Sequence, residues 1–310
     1  MFDPISYKLW SEDKTAFAKA IGESFRETGF AVISDHAVSQ GVIDDVSAAT
    51  KEFFDLPLAA KTSYFDPDGG GQRGYTPFGT ESAKGETAID LKEFWHTGRA
   101  LEPGAPLRTI MPDTPEVEDI AGFDAASRGL FESMDSFGRD ILAGIALYLD
   151  LPEDWFNDKV NQGNSILRLI HYPAQNKPFP EGSVRAAAHE DINVITLLLG
   201  AEEAGLQVKH RSGEWLDINP PAGTLVVNCG DMLQRYTAGF LPSTSHRVLN
   251  PTPERAHLPR YSMPYFLHFN PDFLIEALPG CVEKGGKAET PITSQDYLME
   301  RLVEIGLVKG

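Results

Sequence analysis

His189 and Asp191 lie two residues apart in the run AAAHEDINVITLLL, and His246 follows later in STSHRV. Two imidazoles and one carboxylate can occupy three adjoining corners of an octahedral Fe(II) and leave three positions open. Open positions are what oxygen chemistry needs, whereas a structural metal site closes its shell. Zn(II) is the competing ion, because two histidines and a carboxylate also hold zinc with a fourth position free. The HExxH spacing of zinc proteases is absent. On a strand, His189 and Asp191 share a face and Glu190 points to the other one. Glu190 is therefore read as a surface or second-layer residue and not as a general base.

Arg260 and Ser262 are also two apart, in the apolar run LPRYSMPYF. An inward arginine is costly unless it meets an anion. A guanidinium takes a carboxylate bidentately, and a serine hydroxyl adds a donor. The alternative is an internal salt bridge to one of the 45 acidic residues. Joined to the metal trio, the pair suggests a bound dicarboxylate, with one end on the metal and the other at Arg260.

Both constellations need strands that face a common interior, and the chain supplies short strand-like runs after about Asn164. SILRLIHY, VRAAAHEDI, NVITLLLG, GLQVKH, EWLDI, TLVVNCG, SHRVLN and RYSMPYFLHF are separated by Gly, Pro, Asn or Ser, the cadence of a sandwich or closed barrel. His210 to Glu214 reads as a hairpin turn, with Gly213 at positive φ. His246 directly follows a strand-and-turn unit. Before Asn164 the pattern is mostly helical. Ser11 is an expected N-cap for a helix carrying Phe17, Ile21 and Phe25 up to Gly29, and FAVISDHAV reads as a strand. A helix is expected over 39–55, stopped by Pro57, and a glycine-rich loop over 66–75. A long helix is expected after Pro115, with Leu130, Met134, Phe137, Ile141, Ile145 and Leu149 on one stripe. A last helix should run from about Ser294 to Ile305. No linker marks the change near residue 160. Residues 1–160 are read as a helical region packed on a β core formed by 161–310, not as an independent domain.

Hydrophobic residues make up 42% of the 310, enough for a sizeable core. The formal net charge of −18 would repel phosphate backbones and anionic lipid, so neither nucleic acid nor membrane is an expected partner. The segment MFDPISYKLWSEDK has charges of both signs and no apolar stretch, so no signal peptide is expected. No apolar run approaches the roughly 18 residues of a membrane span. Two cysteines, Cys229 and Cys281, fit reduced thiols better than a disulfide framework. A soluble cytoplasmic protein is expected, with the oligomeric state left open.

Taken in order, FRETGFAVISDHAV, FFDLPLAAKTSYF, GYTPFG, DLKEFWHTG, LRLIHYP, AAAHEDINVITLLL, GTLVVNCGDMLQRYTAGFLPSTSHRV and RYSMPYF resemble the motifs of the isopenicillin N synthase-like family of non-haem Fe(II), 2-oxoglutarate-dependent oxygenases. The resemblance spans nearly the whole chain. It implies a mainly β fold with flanking helices, around a distorted double-stranded β-helix, or jelly-roll barrel. It implies that His189, Asp191 and His246 are the iron ligands. Arg260 and Ser262 would bind the distal carboxylate of 2-oxoglutarate, supported by Tyr172. The implied reaction consumes 2-oxoglutarate and O2 and releases succinate and CO2. It would hydroxylate, desaturate or cyclise a small organic molecule. A 2-oxoglutarate-independent oxidase on the same iron site and a non-catalytic metal- or acid-binding barrel are the alternatives. The chain departs from plant-type members, which carry Asn-Tyr-Tyr-Pro where Ile170-His171-Tyr172-Pro173 stands here. Ile170 cannot make the hydrogen bond that some members make near iron. His171 and Arg168 are weighed as substrate contacts against a core histidine and a packed ion pair. Arg73, Tyr75 and Trp95 are weighed as pocket wall against structural roles.

Overall fold

The computed structural model describes residues 2–81, 89–175, 182–199 and 205–304. Its large sheet runs, in spatial order, through β1 (Ile5–Ser6), β2 (Phe30–Ser34), β10 (Leu225–Cys229), β7 (Ile195–Leu199), β13 (Pro264–Leu267), β5 (Ile166–Tyr172), β4 (Glu93–Gly98) and β3 (Gly74–Thr76). β12 (Arg260–Ser262) also pairs with β5. A smaller sheet has the order β6 (Ala186–His189), β11 (His246–Val248), β8 (Leu206–Lys209) and β9 (Trp215–Asp217). β14 (Leu274–Ile275) and β15 (Ile292–Thr293) form a separate ribbon. Between residues 166 and 267 the chain passes back and forth between the two main sheets, staying in one sheet only for the β8–β9 hairpin and for β12 and β13, which is the double-stranded β-helix arrangement.

The period-2 alternation of each strand decides which residues face which layer. In β10, Leu225, Val227 and Cys229 join the large core under the helices, and Val226 joins Phe30, Val32, Ala186, Leu206, Val208 and Val248 between the sheets. In β7, Ile195, Leu197 and Leu199 face the helices, while Leu198 packs on the inter-sheet cluster. Strands buried on both faces need continuous apolar runs, which is why TLVVNC and NVITLLL read as they do.

The helices cover the outer face of the large sheet. They are α1 (Leu9–Glu12), α2 (Lys14–Thr28), α3 (Gln40–Asp55), α4 (Leu58–Thr62), α5 (Phe123–Tyr148), α6 (Asn157–Val160), α7 (Asp231–Tyr236), α8 (Pro279–Glu283) and α9 (Ser294–Glu304). The stripe of α5 from Leu130 to Leu149 is buried as its spacing requires, and Gly129, Gly138 and Gly144 do not break the helix. Phe17, Ile21 and Phe25 of α2 are fully buried against it. Ser39 caps α3 by accepting from Val42 N, and Leu56 is extended before Pro57, where a helical residue would clash with the proline ring. α2 is capped by Asp13, which accepts from Ala16 N at 3.0 Å, and not by Ser11, which lies inside the single turn of α1. The hairpin at His210–Glu214 forms, with Gly213 at φ 90°.

The N-terminal half also contributes strands β1 to β4 to the large sheet, and β4 is buried along its whole length. Of these, β4 and β3 lie in stretches with no clear two-residue alternation, and pairing with β5 makes them strands. The 66–75 loop ends in β3, which starts at Gly74. RYSMPYFLHF is split into β12 and β13. The expected end of the last helix at Ile305 lies outside the described residues. Among the described residues no helix is long and apolar enough to cross a membrane. Cys229 and Cys281 are buried, free thiols.

Candidate metal centre

His189 ends β6 and His246 opens β11, and the two are register partners across the antiparallel pair. Their ring centroids are 4.4 Å apart. Each ring is turned by its own backbone. His189 Nδ1 lies 2.8 Å from Ala187 O and His246 Nδ1 lies 3.2 Å from Thr244 O. A carbonyl can only accept, so each Nδ1 carries the proton and each Nε2 keeps its lone pair. Both Nε2 atoms point at Asp191 Oδ1, at 3.8 and 3.7 Å. Among the described residues these three form the one His/Cys/Asp/Glu group whose ligand atoms all lie within 4.8 Å of one another.

Asp191 reaches this place by a route other than the expected one. β6 stops at His189, so Asp191 is not on the strand and the shared strand face does not orient it. The loop after β6 is pinned by the turn into α7. Gly230 N donates to Val194 O, Asp231 N to Asp191 O and Met232 N to Asn193 O, all within 2.9 Å. The unit between β10 and β11 therefore contains a helix, α7, where a turn was expected. The side chain is held by its outer oxygen. Asp191 Oδ2 accepts from Thr196 Oγ1 at 2.5 Å and from Asn228 Nδ2 at 2.8 Å. Asn193 Nδ2 donates to Thr196 Oγ1 at 2.8 Å, which leaves the threonine proton for Asp191. Oδ1 is left facing the two imidazoles. Glu190 is exposed, as expected, although it lies beyond the end of β6 and strand alternation is not the reason.

The electrostatics suit a divalent cation. Burial pushes the His189 imidazole below its ordinary range, with His246 adding to the shift, so its lone pair is available near neutral pH. Burial raises the Asp191 carboxyl, but His246, His189 and the bonds from Asn228 and Thr196 outweigh it and bring the pKa below its ordinary value. The donor set fits a metal held on one side: three ligand atoms converge, and the remaining polar atoms of the same side chains are already satisfied. His189 keeps 39% of its side-chain surface open, which leaves a path to the centre. Phe30 packs edge-on against His246 at 5.5 Å and joins Val32 and Val226 in the apolar cluster between the sheets.

Arg260 and Ser262 sit on β12, 2% and 6% exposed, opposite Tyr172 and Ile170 of β5. The Arg260 guanidinium lies over the Tyr172 ring at 5.1 Å, and that of Arg185, a buried residue not singled out by its sequence context, lies at 6.0 Å. Ile170 fills space with Phe94 and Tyr172. His171 falls on the opposite face of β5, where its Nδ1 pairs with Glu93 at 2.8 Å and its ring stacks on Tyr261 at 4.9 Å. The other sequence-derived pocket candidates are structural. Arg73 is spent on Pro112 O, Gln72 O and Asn164, Tyr75 donates to Glu93, and Trp95 is in the core. Arg168 faces the interior and heads a polar cluster with His96, Glu81, Lys92 and Asp90. The residues around Asp191 that motif spacing missed did leave a signal. Thr196 and Asn228 are polar residues at inward positions of otherwise apolar strands.

The 2OG-Fe(II) oxygenase superfamily model matches residues 163–269, and the N-terminal model for the non-haem dioxygenase in morphine synthesis matches residues 3–116. A 2-oxoglutarate-Fe(II) type oxidoreductase of Emericella nidulans is 33% identical over 295 residues, covering 92% of this chain and 83% of that protein. A crystal structure of a 2OG-Fe(II) oxygenase family protein from Caulobacter crescentus superposes with a TM-score of 0.90 at 49% identity, covering 98% of this chain and 99% of the other. A full-length Neurospora crassa protein in complex with alpha-KG and thymine superposes with a TM-score of 0.84 at 33% identity, covering 96% of this chain and 95% of the other.

Proposed function

This chain belongs to the 2OG-Fe(II) oxygenase superfamily and is a non-haem Fe(II)- and 2-oxoglutarate-dependent dioxygenase, and we propose that His189, Asp191 and His246 hold its iron while Arg260, Ser262 and Tyr172 hold the distal carboxylate of 2-oxoglutarate. The observation that carries the assignment is the convergence of two Nε2 atoms and Asp191 Oδ1 within 4.8 Å, with the remaining polar atoms of those side chains tied off. When bound, iron and 2-oxoglutarate supply the oxidising power, and succinate and CO2 leave.

The chain's own residues bind, orient and exclude water. Thr196 and Asn228 hold Asp191 in one rotamer, and the carbonyls of Ala187 and Thr244 fix the two histidine tautomers. Arg260 offers a planar pair of donors for a carboxylate, and Ser262 a further hydroxyl. Tyr172 lies against the guanidinium and keeps it from swinging. Phe30, which packs on His246, belongs with Val32, Val226 and Val248 to an apolar cluster between the sheets that would shield that side of the bound iron from water. The thymine bound to the Neurospora relative supports a small-molecule substrate of comparable size. We also place the protein in the cytoplasm, on the support of two free, buried thiols. Residues 1–160 and 161–310 are read as one folding unit, supported by the pairing of β2 with β10 and of β4 with β5.

Anaerobic addition of Fe(II) and 2-oxoglutarate should produce a metal-to-ligand charge-transfer band. Asp191→Ala should abolish it. Arg260→Ala should keep it, but at a 2-oxoglutarate concentration raised about tenfold or more, since a charge-assisted bidentate contact is lost. Equal iron affinity in wild type and Asp191→Ala would remove Asp191 from the centre.

A further inference from the structure

Two cations meet the inward face of β5: its own Arg168, and Arg260, which β12 sets opposite Tyr172. Tyr172 marks one end, where Arg260 lies. Arg168 is four residues back on the same face, about 13 Å away at strand rise. There Arg168 is engaged by His96 and Glu81, whereas Arg260 lies over the Tyr172 ring.

Arg168 is held more firmly than a surface cation. Its guanidinium lies over the Phe94 ring at 4.2 Å and the Phe266 ring at 5.4 Å. Its Nε donates to His96 Nε2 at 2.5 Å. His96 Nδ1 lies 2.6 Å from Gly71 O, so the proton sits on Nδ1 and Nε2 accepts. Burial, together with the Arg168 charge, keeps His96 neutral. The two Nη atoms meet Glu81 only at 3.3 and 3.4 Å, whereas a tight charged pair closes to about 2.7–2.9 Å. Lys92 binds Glu81 at 3.0 Å and Asp90 at 2.8 Å, and Asp90 Oδ1 accepts from Ala187 N, two residues before His189. The cluster thus abuts the metal centre.

Its charges cancel. Arg168 and Lys92 balance Glu81 and Asp90, and those two cations outweigh burial to bring the Glu81 carboxyl down to about 2. An incoming anion would have to displace Glu81 from a buried site, at a large cost. A neutral group that accepts from Arg168 and donates to Glu81 fits without leaving a charge unpaired. Phe266, half-buried beside the guanidinium, offers a flat apolar face for a ring.

Resting on the iron and 2-oxoglutarate reading above, we propose that Arg168 and Glu81 are specificity-determining residues that recognise a flat, uncharged substrate ring through adjacent carbonyl and N–H groups, as in a cyclic amide or imide, with His96 as the residue that positions Arg168.

Calorimetric titration of the full chain, loaded anaerobically with Fe(II) and 2-oxoglutarate, tests this with three probes. Thymine is the neutral imide, 1,3-dimethylthymine lacks the N–H groups, and orotate adds a carboxylate to a similar ring. Thymine should bind most tightly and the other two at least tenfold more weakly. Arg168→Met should weaken thymine at least tenfold while the charge-transfer band of bound 2-oxoglutarate stays in place. His96→Phe should weaken it too, and His96→Gln, which keeps an acceptor for Arg168, should recover part of the loss. A missing band in wild type would count against the iron reading itself. A normal band with no thymine binding, with orotate bound more tightly, or with Arg168→Met indistinguishable from wild type, would overturn this proposal alone.

Discussion

Thr196 and Asn228 show how much of the centre depends on single atoms beyond the ligands. Each places one donor on Asp191 Oδ2, and together they leave Oδ1 as the free oxygen. Thr196→Val keeps the shape of the side chain and removes the hydroxyl, so Asp191 loses one restraint without a cavity forming. Outer-layer bonds of this kind are worth about 10–100-fold in metal affinity. The loss of Fe(II) affinity in Thr196→Val, measured by competition with a chelator, should fall within that range, with a drop of about 1–3 kcal/mol in unfolding stability because the buried Asn193 amide loses Thr196 Oγ1 as its acceptor. Unchanged affinity would mean that the loop backbone alone orients Asp191.

At the scale of elements, the decisive contact is the crossing of α2 on α5. A Cβ built on Gly22 would lie 2.0 Å from Tyr148 Cγ, so the two helices approach as closely as they do because residue 22 has no side chain. Gly22→Ala should push Tyr148 off its position and cost about 1–3 kcal/mol, the usual penalty for overpacking, despite the better helix propensity of alanine. Denaturant unfolding of the purified variant gives that number directly. A gain in stability would show that Tyr148 moves aside freely. Close packing also accounts for Gly138 of α5: a Cβ there would come within 2.7 Å of Leu267 Cδ1 on β13.

For the whole molecule, the large sheet is shared between the two halves of the chain. β2 lies between β1 and β10, β4 lies beside β5, and α5 covers Leu197, Tyr265 and Leu267. A chain starting at residue 161 would bare that face and two strand edges, which favours aggregation over folding. Such a fragment is expected to lack a cooperative thermal transition and dispersed amide signals, and a cooperative melt from it would show the β core to be autonomous.

The residues themselves determined the ligand types, the apolar stripes and the strand-like runs. His189, Asp191, His246, Arg260 and Ser262 stood out as candidates because metal and carboxylate chemistry restricts which side chains can serve, and the structure brings the first three together and buries the other two on one face of β12; the buried stripe of α5 was legible because core packing imposes a 3.6-residue period. Tertiary structure decided the rest. It ended β6 at His189 and brought Asp191 in through hydrogen bonds from α7, Thr196 and Asn228, which no local spacing encodes. It made strands of residues 74–76 and 93–98, whose pairing energy comes from distant partners and not from their own pattern. It also turned Arg168 inward and His171 outward, because alternate residues of one strand must face opposite layers, and only the assembled sheets define which layer holds the metal.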